Sequence, residues 1–200
     1  MARASRRIRW MGLRALVSCF MAGLLLAAWV PAAAQAGVAP PTPGDPTTVI
    51  ILRHAERLSD DKDTPLSGAG EARARALVPL LSGLQPDVVV VSELRRTRQT
   101  VAPFLERAKR SPLVRSNEKC IELAQEILKE WRGRTVLVAW HRGPHVDLAR
   151  ALGVKEPFPS WTHDTYDRYW VVTIAADGVA TLVEKTQPPV KEPPSSPTSR

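Results

Sequence analysis

The chain has 200 residues, of which 44% are hydrophobic and 24% charged, and this composition indicates one ordinary globular domain rather than a disordered polymer or a multidomain assembly. Only two cysteines occur, Cys19 and Cys120, which excludes a disulfide framework and a four-thiolate zinc site. The net charge of +8 does not indicate nucleic-acid binding. Residues 1–36 hold five arginines and no acid, so the rest of the chain has a net charge of only +3. That remainder also lacks the basic, aromatic-rich stripe that is typical of a nucleic-acid-binding surface.

The N-terminal segment has the order of an export signal. An arginine-rich stretch precedes the apolar run 15–30, and the small-x-small pattern Ala34-Gln35-Ala36 comes next. The run is shorter than the roughly 20 residues that span a bilayer, so we predict cleavage after Ala36 and a periplasmic or secreted protein without a stable membrane span. An uncleaved membrane anchor is the alternative. Cleavage would remove Cys19 and leave Cys120, which we expect to be a packed core thiol.

Flexible segments flank the predicted folded domain. The Pro-rich stretch 37–46 and the Pro/Ser-rich stretch 187–200 bury too little apolar surface to offset the entropy of ordering them. The signal peptide is therefore predicted at 1–36, a linker at 37–46, one domain at 47–186 and a disordered tail at 187–200.

Short apolar runs alternate with segments of helical period across 47–186, a pattern typical of a βαβ sheet covered on both faces. Ser67 is the predicted N-cap of the first helix, and Pro79 and Pro103 are predicted to kink or shorten their helices. In chain order the pattern predicts a strand at 49–52, a helix from Ser67 to Leu81, a strand at 88–91, a helix over 94–105, a short strand at 113–114, a helix over 118–131, a strand at 136–140, a helix over 144–152, and a hairpin of strands 169–174 and 179–184.

Cationic and imidazole side chains come directly after the three buried strands. They are Arg53 and His54 after the first strand, Arg95 and Arg96 close to Ser92 after the second, and His141 and Arg142 after the third. Ligands of open α/β sheets bind beyond the carboxyl ends of parallel strands, so we expect these side chains to share one crevice that binds an anion. Guanidinium forks and imidazole donors favour phosphate.

A histidine in such a crevice also suits phosphoryl transfer, in which fixed positive groups stabilise charge on the phosphoryl oxygens. A nucleophilic histidine must be neutral, and neighbouring arginines favour that form because like charges lower the imidazole pKa. The second ring nitrogen of this histidine needs a hydrogen-bond acceptor, which holds the ring so that the first nitrogen faces phosphorus. We expect a backbone carbonyl in this role.

The motifs 52–56 (Leu-Arg-His-Ala-Glu), 66–72, 92–100 and 138–141, with 166–174 near the end, together resemble the histidine phosphatase superfamily. The resemblance implies a phosphoglycerate-mutase-like fold, a three-layer α/β/α sandwich with a mostly parallel central sheet. It also implies that His54 is transiently phosphorylated, that Arg53, Arg96 and His141 bind the phosphoryl group, and that no metal or organic cofactor is needed. Ala55 stands where the family usually has glycine, and Arg142 replaces a residue that is commonly small.

Other candidates carry less definite roles. Helical period does not choose among Arg95, Arg96 and Arg98, whereas the family spacing selects Arg96. Arg57 is predicted either to reach the phosphate, as in the acid-phosphatase branch, or to be solvated. The leading candidate for the proton donor to the leaving group is Glu118, with Glu93 second. The insertion that carries the acid in larger relatives is nearly absent, so a good leaving group such as a phosphoramidate would suit the chain.

Two further patterns resemble functional sites only superficially. His163-Asp164 imitates the His-Asp pair of the acid-phosphatase branch but precedes a strand instead of ending one. His141 and His145 have the spacing of metal ligands on a helix, yet Gly143-Pro144 interrupts that helix and no carboxylate or thiol completes the set, so no metal is predicted.

The sequence thus predicts an exported, metal-independent histidine phosphatase of short form that acts on a small phosphorylated substrate or a phosphoprotein. Two alternatives remain: a phosphomutase, for which the chain lacks long insertions suited to a lid, and a non-catalytic module that binds phosphorylated ligands.

Overall fold

The structure, a computed structural model, describes residue 42 and residues 44–190. The predicted signal segment lies outside the described residues, as do most of the predicted linker and most of the predicted tail. No helix within the described part of the chain combines the length and the apolar character that crossing a membrane requires.

Six strands and four helices succeed one another in the described residues. They are β1 (Thr47–Arg53), α1 (Gly68–Leu84), β2 (Val88–Ser92), α2 (Arg95–Ala108), β3 (Leu113–Arg115), α3 (Cys120–Glu130), β4 (Thr135–Trp140), α4 (Pro144–Ala151), β5 (Arg168–Ile174) and β6 (Ala180–Thr186). The order and the type of every predicted element are confirmed.

All six strands form one sheet in the order β3-β2-β4-β1-β5-β6. The pairs β2–β3, β2–β4 and β1–β4 are parallel, whereas β5 runs antiparallel to both β1 and β6. The parallel part therefore places the carboxyl ends of β1, β2 and β4 side by side at one edge of the sheet.

Alternate residues of the central strands feed two separate cores, one on each face of the sheet. Ile50 and Leu52 of β1 pack with side chains of α1 and α2, including Leu77 and Phe104. On the opposite face, other β1 residues pack with α3 and α4 in a core that also contains Trp140, Trp161 and Trp170. The α/β/α layering is confirmed, and the three tryptophans lie in the core.

Helix α1 begins where the sequence predicts. The Ser67 side chain accepts a hydrogen bond from the Gly70 amide, which is the expected N-cap interaction. Pro79 lies inside the helix and does not shorten it, because buried Leu77 and Leu81 on either side of the proline hold the helix against the sheet as far as Leu84. Pro103 likewise lies inside α2, which continues to Ala108. Of the two predicted effects, shortening is therefore wrong for both helices, and a kink stays a prediction.

Helix α3 begins later than predicted. It starts at Cys120 rather than at Glu118, because the Lys119 amide donates to the Ser116 carbonyl and closes a turn in front of the helix. Glu118 consequently lies in that turn. Cys120 is buried, and its sulfur accepts a hydrogen bond from the Trp140 indole at 3.3 Å, so the prediction of a core thiol is confirmed.

Candidate active site

The carboxyl ends of β1 and β4 bring two imidazoles together. The His54 amide donates to the Trp140 carbonyl at 2.9 Å, which extends the parallel pairing of the two strands by one residue. The ring centroids of His54 and His141 lie 5.3 Å apart. Both side chains belong to buried residues, 4% and 6% exposed. The sheet register thus produces the histidine pair that the sequence placed in one crevice.

His54 is held by the backbone in one orientation. Its Nδ1 lies 2.7 Å from the carbonyl oxygen of Ala55. A carbonyl can only accept, so Nδ1 carries the proton and Nε2 carries the free lone pair of the neutral ring. The expectation that one ring nitrogen of His54 is held by a backbone carbonyl is confirmed, and the nitrogen with the free lone pair is Nε2.

A buried threonine links the His54 turn to α2. Thr100 Oγ1 accepts from the Ala55 amide at 2.9 Å and donates to the Arg96 carbonyl at 2.6 Å. This contact fixes the turn that carries His54 relative to the turn that carries Arg96. The sequence suggested no role for Thr100, although a polar residue on the inner side of an amphipathic helix was a usable signal.

Glu56, in the turn that carries His54, is held by helix α1. Glu56 forms an ion pair with Arg73 through three contacts of 2.6 to 2.9 Å. Gly70 faces the backbone of the turn so closely that a Cβ on it would overlap the Glu56 carbonyl oxygen. The glycine is therefore required for close approach of the helix to the turn.

Arg53 organises one wall of the site. Its Nη1 donates to the carbonyls of Thr162, His163 and Thr165 at 3.2, 2.7 and 3.0 Å. Its Nη2 donates to the Tyr166 hydroxyl at 3.2 Å, and its Cζ lies 3.9 Å from the centroid of the Tyr166 ring. The segment 162–166, which the sequence did not mark as part of the site, is thereby held beside His54, whose ring centroid lies 6.0 Å from that of Tyr166.

Arg96 contacts the second imidazole of the pair. Its Nη1 donates to the Lys62 carbonyl at 2.8 Å, and its Nη2 lies 3.3 Å from His141 Nδ1. Arg96 is buried, and Arg98 on the same helix is exposed. The four side chains at 53, 54, 96 and 141 thus form one continuous group.

Both arginines of the group keep an unused donor. The Nε atoms of Arg53 and Arg96 are buried and have no hydrogen-bond partner among the described residues. Buried donors without acceptors are uncommon in proteins and require an explanation. The guanidinium groups of Arg53 and Arg96, grouped with two neutral imidazoles, form a donor set that suits an anion with several oxygens, and phosphate has that chemistry.

Burial keeps both imidazoles neutral. The pKa of His54 is lowered to about 3, first by burial and then by the nearby charges of His141, Arg96 and Arg53, although the hydrogen bond to Ala55 opposes the shift. The pKa of His141 is also lowered to about 3, by burial and by the two arginines. The predicted direction is confirmed, but loss of water contributes more than the arginine charges do.

Arg57 borders the group, and its side-chain contacts are to Asp60 and His163 rather than to His54 or His141. Its Nη2 pairs with Asp60 and lies 3.3 Å from His163 Nε2. Its charge contributes to a lowered pKa of both Arg53 and Arg96, for which burial is the larger cause. His163 therefore lies near the site through the Arg53-bound segment, whereas the role of Arg57 in substrate binding stays a prediction.

The two candidates for the proton donor lie outside the group. Glu118 is exposed and lines a pocket of about 570 Å³ between α3 and α4, whose lining includes none of the four grouped residues. Glu93 is exposed, and its carboxylate accepts from the Asn117 amide. The role of Glu118 stays a prediction that the observed contacts do not support.

His145 does not point to a metal site. Its ring stacks on Trp161 at 4.1 Å between centroids, and its Nδ1 accepts from the Gly143 amide. No group of three or more potential ligands among His, Cys, Asp and Glu occurs in the described part of the chain.

Comparison with solved structures identifies the fold as phosphoglycerate-mutase-like. The chain is similar to a mycobacterial glucosyl-3-phosphoglycerate phosphatase at 17% identity and a TM-score of 0.57, over 71% of this chain and 98% of that one. It is similar to the protein histidine phosphatase SixA at 20% identity and a TM-score of 0.53, over 70% and 96%. A putative phosphohistidine phosphatase SixA from Nakamurella multipartitia has 25% identity and a TM-score of 0.53, over 73% and 99%.

Part of the sequence matches a family model. Residues 49–118 match the model of the histidine phosphatase superfamily (branch 1). This segment contains the turns that carry His54 and Arg96. Comparison with curated protein sequences gives no match. Over residues 49–118 the chain is similar to the histidine phosphatase superfamily, the family that its motifs resemble.

Proposed function

We propose that this protein is an exported, metal-independent phosphatase that hydrolyses phosphomonoesters or phosphoramidates through a phosphohistidine on His54. The observation that carries the proposal is the buried group of two neutral imidazoles and two arginines. Structures of the same fold support it: SixA was solved with tungstate, and the mycobacterial phosphatase with inorganic phosphate. The order of residues in 1–36 supports export.

The first step of the proposed reaction depends on the orientation of His54. Nε2 attacks phosphorus while the bond from phosphorus to the leaving group breaks, so that a P–N bond replaces a P–O or P–N bond. The Ala55 carbonyl keeps its hydrogen bond to Nδ1–H as the ring becomes positively charged. Arg96, Arg53 and His141 stabilise the charge on the phosphoryl oxygens.

Water completes the reaction. It attacks the phosphorus of phosphohistidine, the P–N bond breaks, inorganic phosphate leaves and His54 returns to its neutral form. The leaving group takes its proton from solvent, because Glu118 and Glu93 lie outside the group. This favours substrates whose leaving group needs little help, such as phosphoramidates and aryl phosphates.

Trapping the intermediate tests the proposal. Brief mixing of the protein with radiolabelled phosphoramidate should yield an acid-labile, alkali-stable label, and folded His54→Ala should take up none. His163→Ala is the matched control, since that imidazole is exposed and lies outside the grouped residues. Turnover that persists in His54→Ala would refute the mechanism, and chelator treatment that abolishes activity would refute metal independence.

Two further measurements separate the alternatives. A phosphomutase would transfer the label to a second hydroxyl of a sugar phosphate instead of releasing inorganic phosphate. A non-catalytic module would bind tungstate with His54 intact but would show no labelled protein and no phosphate release. Release of inorganic phosphate with transient label on His54 excludes both.

A further inference from the structure

Two buried hydroxyl groups connect His141 to the start of α2. Ser92 Oγ lies 2.8 Å from His141 Nε2 and 3.0 Å from Thr97 Oγ1. Thr97 Oγ1 in turn lies 2.8 Å from the Leu94 carbonyl and 3.2 Å from the Ser92 carbonyl. Ser92 and Thr97 are both 0% exposed, so water cannot replace any member of this chain of contacts.

The directions of these hydrogen bonds can be deduced from the carbonyl end. A carbonyl only accepts, so the single hydroxyl proton of Thr97 is donated to a carbonyl, and Thr97 Oγ1 is left to accept from Ser92. The Ser92 proton is thereby used, and Ser92 Oγ also accepts from the Leu94 amide. Its contact with His141 Nε2 is then a hydrogen bond only if that nitrogen donates.

The opposite side of the ring leads to the same assignment. Arg96 Nη2 lies 3.3 Å from His141 Nδ1, and a guanidinium can only donate. Nδ1 must therefore accept, which again places the proton on Nε2. Two independent contacts, one to a hydroxyl chain and one to a cation, thus select the same tautomer.

We propose that Ser92 and Thr97 are positioning residues that hold the proton of His141 on Nε2, so that Nδ1 is the nitrogen presented to Arg96 and the phosphoryl group. The assignment of the phosphoryl group rests on the proposed function. Because Nε2 stays bonded to Ser92, a proton that His141 gains when a phosphate dianion binds can only be added at Nδ1. That new N–H then donates to a phosphoryl oxygen, while Ser92 keeps the ring from turning.

Removal of one hydroxyl should disturb this arrangement without removing any group that contacts substrate. Thr97→Val keeps the shape of the side chain but frees the Ser92 proton, which can then be donated to His141 Nε2 and favour the wrong tautomer. We expect kcat to fall about five- to tenfold, the factor that corresponds to one hydrogen bond, with little change in KM. Thr97→Ser restores the hydroxyl and should rescue both the rate and the tautomer.

Thr47→Val is the matched control for stability. Thr47 is similarly buried, and its Oγ1 accepts from the Gly133 amide at the other end of β1. The same chemical change there should lower stability and leave kcat unchanged. A fall in kcat that is equal in the two valine variants would mean that the Thr97 effect is merely structural, and it would overturn the proposal.

The tautomer itself is measured by long-range hydrogen–nitrogen correlation NMR on protein with ¹⁵N-labelled histidine. The chain has four histidines, and the signal missing from His141→Gln assigns His141. The wild type should show a protonated Nε2, and Thr97→Val a mixture or the reverse. A protonated Nδ1 in the neutral wild-type ring would overturn the proposal. Because this readout needs no turnover, a protein with the expected tautomer but no phosphatase activity would refute the proposed function and leave the positioning role intact.

Discussion

Three buried histidines should make the protein sensitive to mild acid. The pKa of His54 and of His141 is lowered to about 3 and that of His145 to about 4, with burial the first cause in each case. In the unfolded chain a histidine has a pKa of about 6.5. The unfolded state therefore binds more protons below that pH, and the free energy of unfolding falls as the pH falls.

The size of the effect can be worked out from proton linkage. Lowering the pH from about 6 to about 5 should cost about 1.2 kcal/mol for each of the three histidines, or about 3.5 kcal/mol in total. A domain of this size has a total stability of roughly 5 to 15 kcal/mol. The loss continues with falling pH until the folded-state pKa values are reached, so the histidines alone should bring the protein close to acid unfolding.

Replacing His145 by phenylalanine should remove the contribution of one of the three histidines to the pH dependence of stability. The ring of His145 lies nearly parallel to that of Trp161, with 9° between the planes, and phenylalanine can keep that stacking without binding a proton. We expect the stability lost between pH 6 and pH 5 to fall by about 1.2 kcal/mol in His145→Phe. His163→Gln is the control, because the side chain of His163 is 59% exposed and lies outside the buried core.

Urea unfolding measured by tryptophan fluorescence at the two pH values gives these differences. The change in the unfolding midpoint reports the pH dependence of each variant, provided that the slope with urea stays constant. A wild-type stability that is flat across this interval, or an equal loss in wild type and His145→Phe, would refute the idea that buried neutral imidazoles control acid stability.

Three other substitutions test the turn and the wall of the site. Gly70→Ala forces a Cβ against the Glu56 carbonyl oxygen, so urea unfolding should show a loss of about 2 kcal/mol or more, and an unchanged midpoint would contradict the close approach. Glu56→Gln weakens the half-buried ion pair with Arg73 and should lower the free energy of unfolding by about 1 to 2 kcal/mol in the same assay. In a background that already carries Arg73→Met, Glu56→Gln should cause no further loss. Arg53→Lys keeps the charge but not the forked donors that bind the segment 162–166, so kcat/KM should fall about 100-fold; wild-type kinetics in this variant would show that charge alone suffices.

The fold was predictable because its central strands are unusually uniform. The run 88–91 consists of four valines, and the runs 49–52 and 136–140 are nearly as apolar. Continuous apolar runs of this length predict strands that are buried on both faces of the sheet. Helix ends were less predictable. Whether α3 begins at Glu118 or at Cys120 depends on a local turn at Ser116 and Lys119, and hydrophobic periodicity contains no information on that turn.

The grouped side chains were predictable for a similar reason, since the residues directly after parallel strands all lie at one edge of the sheet. The supporting contacts were not predictable. Arg53 binds carbonyls of residues 162–165, more than one hundred positions away in the chain, and backbone acceptors leave no mark in a sequence. Ser92 was noticed at a strand end, but the link through Thr97 to His141 depends on side-chain orientation that only the folded chain shows.

The electrostatics of the site assign different tasks to burial and to charge. Burial is the largest cause of the low pKa of His54, and the charges of Arg96 and Arg53 are smaller causes. The arginines are therefore not needed chiefly to keep the His54 imidazole neutral, and their charge remains available for an anion. The same burial that supplies a neutral imidazole near neutral pH removes stability in acid, because each buried histidine is protonated when the chain unfolds there. The neutral state of the His54 imidazole and the sensitivity of the fold to acid thus have one physical origin.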